Sequence, residues 1–329
     1  MRKAFFLIII MLGYFSSQAQ QHSNMKTDNN PLLCDPTDGI CSIPQDVQPA
    51  QTLLTSQEKP VKLIYFTDPI CSSCWGIEPQ LRKLKLEYGD YLDIEYHMGG
   101  LLPDWSYNSG GISKPSDVAH HWDEVSIHYD MPIDGDVWLE DPMDSSYPPS
   151  IAFKAAQMQD EHKAQLFLRA IREMVFLEKK NITKWEHMAD AAQKAGLDID
   201  QFKIDYENEA IQHFNSDLQL ARNTGVRGFP TLFIVNKTGD QEVIYGSRPY
   251  QVFESALMKV QQSAKKKAYA QSWSSLFTKY SSLTANEFAL LSGMNRDKVE
   301  THLNGLVSEG HLNIFTTKNG SIWRLRQKN

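Results

Sequence analysis

Two cysteines separated by two serines, Cys71-Ser72-Ser73-Cys74, are the residues of this chain whose spacing points most directly to chemistry. A thiolate attacks disulfides and a thiol does not, so the setting of the pair matters as much as its spacing. Before it runs a short apolar segment, Leu63, Ile64, Tyr65 and Phe66, suited to a buried strand; Asp68-Pro69 break that strand, and a helix-like segment follows. The first N–H groups of a helix lack intrahelical partners, and the partial positive charge there favours a thiolate at Cys71. Cys74 comes back one turn later, placed to resolve a mixed disulfide formed on Cys71. Structural cysteines or half of a zinc site are the other readings of a bare C-x-x-C.

The remaining cysteines, Cys34 and Cys41, lie in CDPTDGIC, where Asp35-Pro36 and Asp38-Gly39 are turn formers that bring the two sulfurs within bonding reach. They read as a structural staple of an extended, proline-punctuated arm over residues 20–60; the alternative is a second redox pair that exchanges with Cys71 and Cys74. A four-cysteine zinc site is a third arrangement, but no metal or organic cofactor is required. Residues 1–19 read as a secretory signal: Arg2 and Lys3, an apolar run from Ala4 to Phe15, then small residues at Ser16-Ser17-Gln18-Ala19. This implies a periplasmic or secreted protein in an oxidising setting; a start at Met25 would make it cytoplasmic. No other stretch is suited to crossing a membrane. The 329 residues allow two domains, and a formal net charge of -7 argues against a general nucleic-acid binder.

The elements that must hold these cysteines follow in order. Trp75, Ile77, Leu81, Leu84 and Tyr88 recur at helical spacing, and Tyr91 to Met98 alternate as a second strand, parallel to the first across the crossover helix. Residues 115–225 show helical periodicity without a convincing strand, an all-helical insertion. Within it nine acidic residues from Asp117 to Asp144, with no Lys or Arg among them, read as a solvated face carrying exposed His120, His121 and His128. Gly228-Phe229-Pro230-Thr231 then leads into a strand from Leu232 to Val235, a returning strand from Gln241 to Tyr245 and a helix from Pro249 to Val260.

This order, with Asp68-Pro69, Cys71-Ser72-Ser73-Cys74-Trp75 and Gly228-Phe229-Pro230-Thr231 as its motifs, resembles the DsbA-like branch of the thioredoxin superfamily over roughly residues 61–262, and within it the FrnE and YjbH-type proteins. The resemblance implies Cys71 and Cys74 as catalytic cysteines and a cis Pro230 beside Cys71. It also implies that Phe229, Pro230 and Thr231 line a groove for an extended substrate chain. Trp75 is either part of the groove rim or core packing, and Asp68 either a proton acceptor for Cys74 or a turn residue. Ser72-Ser73 in place of Pro-His implies a weaker oxidant than DsbA. Protein thiols or disulfides are the expected substrates, alongside a redox recycling partner. The alternative function is that of the YjbH-type proteins, a cytosolic adaptor that presents a client to a protease, with the cysteines regulatory.

Lys265-Lys266-Lys267 and the polar stretch to Lys279 read as a linker or helix extension. A separate unit over 275–329 then shows capping residues Ser282 to Glu287, a helix through Leu291, a second helix over Arg296 to Glu309, and a hairpin of Leu312–Phe315 with Ser321–Leu325. That is a winged-helix pattern. Asp297, Glu300 and Glu309 on the would-be reading helix repel phosphate, so protein contact or homodimer formation is expected there rather than DNA binding through Lys318 and Arg324. The expected architecture is an α/β thioredoxin-like fold with a helical insertion, plus a small C-terminal winged-helix-like α+β module.

Overall fold

A computed structural model of the chain describes residues 34–35, 39–42, 59–106 and 114–326. The signal segment 1–19, Met25 and most of the arm lie outside these residues. In chain order the elements are β1 (Cys34–Asp35), β2 (Ile40–Ser42), β3 (Val61–Thr67), α1 (Ser72–Gly76), α2 (Glu78–Tyr88) and β4 (Leu92–Met98). Seven helices follow: α3 (Pro115–Tyr129), α4 (Val137–Glu140), α5 (Tyr147–Gln159), α6 (Glu161–Phe176), α7 (Trp185–Lys194), α8 (Ile199–Glu207) and α9 (Ala210–Asn223). The chain then returns to strand structure in β5 (Gly228–Phe229), β6 (Thr231–Asn236) and β7 (Gln241–Tyr245), closed by α10 (Tyr250–Val260).

The central sheet has the order β4-β3-β6-β7. β3 runs parallel to β4, as the intervening helices require, and antiparallel to β6. Buried on both faces, β3 and β6 are apolar almost throughout rather than alternating, with Leu63, Ile64, Tyr65, Phe66, Leu232, Ile234 and Val235 in one core. The pairing of Phe66 with Thr231 sets the loop after β3, which carries Cys71, beside the loop before β6, which carries Pro230, although 159 positions separate the two residues in the sequence.

The single helix expected from Trp75 to Tyr88 is two. Pro79 lies in the first turn of α2 and has no N–H to continue the ladder, so the chain breaks at Ile77 and α1 is left as a short turn carrying Cys74. The insertion is helical, as its periodicity indicates. The Lys265 to Lys279 stretch is not simply a linker: its end forms α11 (Trp273–Lys279) on Leu276 and Phe277.

The C-terminal unit continues with β8 (Ser282–Thr284), α12 (Ala285–Ser292), α13 (Arg296–Ser308), β9 (Leu312–Thr317) and β10 (Gly320–Leu325). These follow the expected order of helices and hairpin, with α11 and β8 added; the sheet has the order β8-β10-β9. Thr284 and Glu287 form a reciprocal capping box at the start of α12. The unit has its own small core of Leu283, Phe288, Leu291, Val299, Leu303 and Trp323.

Its seam with the thioredoxin body is charged and buried. Arg169 on α6 grips Glu287 with two hydrogen bonds of 2.8 and 3.0 Å, and Arg82 on α2 adds a contact of 3.2 Å to the same carboxylate. Glu173 receives Arg169, Arg324 and the Ser282 hydroxyl; against the cost of burial, the two guanidinium groups hold its carboxyl near 2. The wing docks on the acidic segment, where Lys318 sits 2.8 Å from Asp123 and 2.5 Å from Asp136, and Arg296 forks onto Asp130. The acidic stretch is therefore an internal docking face rather than only a solvated one, and the cations a DNA-binding wing would offer, Lys318 and Arg324, are already paired within the chain.

Candidate redox site and the strand that covers it

Cys71 caps α1. Its extended backbone turns the chain into the helix, and its sulfur lies 3.1 Å from the Cys74 N–H, one of the donors that a helix start leaves unpaired. Cys71 and Cys74 form a disulfide across this turn. The Phe229–Pro230 peptide bond is cis. Gly99, at the end of β4, leaves room for the Phe229 ring, because a Cβ there would fall 1.8 Å from Phe229 Cζ. Gly76 does the same for α1, where a Cβ would meet the Tyr129 ring at 2.6 Å.

The groove beside Pro230 is occupied. β2 pairs antiparallel with β5, Cys41 opposite Phe229 and Ser42 opposite Gly228, so the backbone edge expected to receive a substrate strand receives the chain's own arm. β1 and β2 form a hairpin closed by the Cys34–Cys41 disulfide. The Ser247 N–H donates to the Gly39 carbonyl at 2.7 Å, and the Cys34 N–H donates to His121 Nε2 at 3.0 Å. Docking brings Cys41 Sγ to 3.4 Å from Cys71 Sγ, and the Ser72 hydroxyl donates to Cys34 Sγ at 3.0 Å. Ser73 Oγ lies 3.5 Å from Cys41 Sγ and 2.6 Å from the Tyr129 hydroxyl. All four cysteines are sealed, Cys34 at 2% exposure and the other three at 0%.

Several expected site residues stand elsewhere. Trp75 is not a groove rim: it is fully buried, its indole N–H donates to the Pro132 carbonyl at 3.1 Å, and it lies between Phe176 and the Arg169 guanidinium. Thr231 is buried and turns its hydroxyl onto the Gly228 carbonyl at 2.7 Å, fixing the loop, while Phe229 offers backbone to the groove and buries its ring. His121 is buried rather than exposed, and burial lowers its pKa, which suits a neutral ring accepting from Cys34. Tyr129 and Arg172 carry no sequence signal that marks them as part of the site. The latter is wholly buried and ties Glu78, Thr67 and the Asp68 carbonyl together under the loop. Two arginines inside the apolar run FLRAIREMVF signal only that α6 buries cations.

Asp68 is buried, and its carboxylate accepts from the Ile70 N–H at 3.0 Å, the Leu101 N–H at 2.7 Å and the Ser146 hydroxyl at 2.8 Å. It joins three loops, the turn role rather than a contact with Cys74. Burial raises its pKa from 3.8 to about 6, with those three donors opposing the rise. A raised acid binds its proton more tightly in the folded state, so the Asp68 contribution is most favourable at low pH and is lost as pH rises from about 4 through 6, in total about 3 kcal/mol. The stability difference between wild type and Asp68→Asn, from denaturant melts at pH 4 and pH 7.5, should move against wild type by that order; a pH-independent difference would rule the assignment out.

A strand, a cysteine pair capping the next helix, a crossover to a parallel strand, and a cis-proline loop leading into the strand beside the first define the DsbA-like class of thioredoxin-fold proteins. The chain belongs to the thioredoxin family, whose model matches residues 65–255. Within it the chain is similar to the ClpXP adapter protein SpxH of Halalkalibacterium halodurans, 35% identical over 91% of this chain and 99% of that protein. The ClpXP adapter protein SpxH of Bacillus subtilis is 28% identical over 81% of this chain and 90% of its own length. A crystal structure of a Nitrosomonas europaea protein proposed to be a protein disulfide isomerase shares the fold, with a TM-score of 0.54, 24% identity and coverage of 63% of this chain and 100% of that one.

Proposed function

We propose that this chain is a client-binding adaptor for a ClpXP-type protease, with its cysteines regulatory rather than devoted to turnover of external disulfides. The observation that carries the reading is the full groove: Cys71 has no exposure and the Phe229 edge is already paired with Cys41, whereas a thioredoxin-type catalyst must admit a substrate strand there. Similarity to SpxH adapters through almost the whole of their length supports it. The buried charged seam is consistent with it, since Arg169 to Glu287 and Arg324 to Glu173 tie the C-terminal unit to the thioredoxin body. On this reading translation starts at Met25 and the protein is cytoplasmic, where the expectation of export no longer applies.

The second reading, a thiol-disulfide oxidoreductase, keeps its support from the C-x-x-C pair beside cis Pro230. Protein half-lives measured by mass spectrometry in cells with and without the gene, and with and without ClpXP, separate the two. An adaptor lengthens the half-life of the same proteins when either it or ClpXP is removed, with no further effect when both are, and Cys71→Ser retains this within about twofold. Absence of any half-life effect shared with ClpXP, together with a mature chain beginning at Gln20, would favour the exported enzyme.

A further inference from the structure

The docked arm does more than fill the groove. It presents one particular sulfur, Cys41 Sγ, 3.4 Å from Cys71 Sγ, and each arm sulfur faces one hydroxyl of the dipeptide between the active cysteines, Ser72 for Cys34 and Ser73 for Cys41. A staple needs only its own bond. We propose that the Cys34–Cys41 hairpin is a tethered substrate that exchanges its disulfide with Cys71 and Cys74, so that the chain passes two electrons between its own cysteine pairs and releases the arm when the electrons lie on the arm pair.

Both pairs are disulfides in the structure, so exchange begins once an external dithiol reductant has delivered two electrons and two protons to the Cys71–Cys74 bond while the Cys34–Cys41 bond is still intact. The Cys71 thiolate attacks Cys41 Sγ; the Cys41–Cys71 bond forms, the Cys34–Cys41 bond breaks, and Cys34 leaves as a thiolate that receives the Ser72 hydroxyl hydrogen bond. Cys74 then attacks Cys71; the Cys71–Cys74 bond forms, the mixed disulfide breaks, and Cys41 leaves as a thiolate beside Ser73. The arm pair has been reduced and the active pair oxidised, two electrons each way, with no external oxidant. A thiolate held by a donor is the better leaving group, which gives the two serines a chemical role. Reduction of the arm pair removes the covalent closure of the β1–β2 hairpin, leaving the short β2–β5 pairing and the His121 and Ser247 hydrogen bonds to hold the arm over Phe229.

The purified full chain tests this without reference to any client, so its outcome is separate from that of the adaptor reading. In Cys74→Ser protein the second step is blocked, and tandem mass spectrometry of acid-quenched, alkylated digests should find Cys41 joined to Cys71 with Cys34 as the alkylated thiol. Cys34→Ser protein reaches the same bond from the other side, by Cys41 attack on the active disulfide. Within the Cys74→Ser background, Ser72→Ala should move the pH midpoint of Cys34 alkylation up by about one unit, the equivalent of a tenfold change in thiolate population. Should both cysteine variants fold, by circular dichroism, and neither contain the Cys41–Cys71 bond, the exchange does not occur. An unchanged midpoint in Ser72→Ala would overturn the role given to Ser72.

Discussion

Deleting residues 1–58 is expected to speed reduction of the Cys71–Cys74 disulfide by a small dithiol about a hundredfold. In the full chain both sulfurs have no exposure, and a reductant reaches them only when β2 leaves β5. Local openings of such short segments cost a few kcal/mol, and each ~1.4 kcal/mol of opening free energy slows a reaction tenfold. The arm is held by its strand pairing, the Gly39 and Cys34 backbone hydrogen bonds and the wall of Ser72, Ser73 and Tyr129, so an opening cost of about 3 kcal/mol is reasonable. Quenched thiol labelling under dithiothreitol gives the two rates directly. Equal rates would mean that the arm does not guard the site.

The largest stability effect is expected at the seam. Glu287→Ala removes the carboxylate that satisfies Arg169 and Arg82 and one half of the capping box of α12, leaving the largely buried Arg169 guanidinium with one partner fewer. Breaking a buried pair from one side costs about 3–5 kcal/mol, because the remaining charge stays in a low-dielectric site. Denaturant unfolding should show that loss, and trypsin should cut earlier at Lys265, Lys266 and Lys267 as the C-terminal unit loosens. Because Arg169 also lies over Trp75 behind the α1 helix, loosening the seam should be felt at the cysteines as faster reduction. A loss below about 1 kcal/mol would show that the network is incidental to docking.

What the sequence made legible was local. The apolar run before Cys71, the spacing of the two cysteines, the Gly-Phe-Pro-Thr loop and the following hairpin each carry their signal within a dozen residues, and through the resemblance they support they pointed to the fold and to a cis Pro230. What it left hidden were contacts between distant segments of ordinary composition. Nothing in CDPTDGIC says that Cys41 will pair with Phe229, 188 positions later. Likewise the pattern around Trp75 fits a rim and a core equally, and only Pro132, Phe176 and Arg169, arriving from the insertion, make it core. The acidic segment misled for the same reason, since its counter-charges, Arg296 and Lys318, come from the far end of the chain. Charge patterning shows that a face is acidic, not which element covers it.

The measurement closest to the central claim, that the arm occupies the groove, is hydrogen exchange followed by mass spectrometry on the segment containing Gly228 and Phe229, with and without residues 1–58. The oxidised full chain should protect this segment, and protection should fall once the arm is removed, while β6, held between β3 and β7, keeps its own. Identical exchange of the Gly228 to Phe229 segment in the two proteins would contradict that claim.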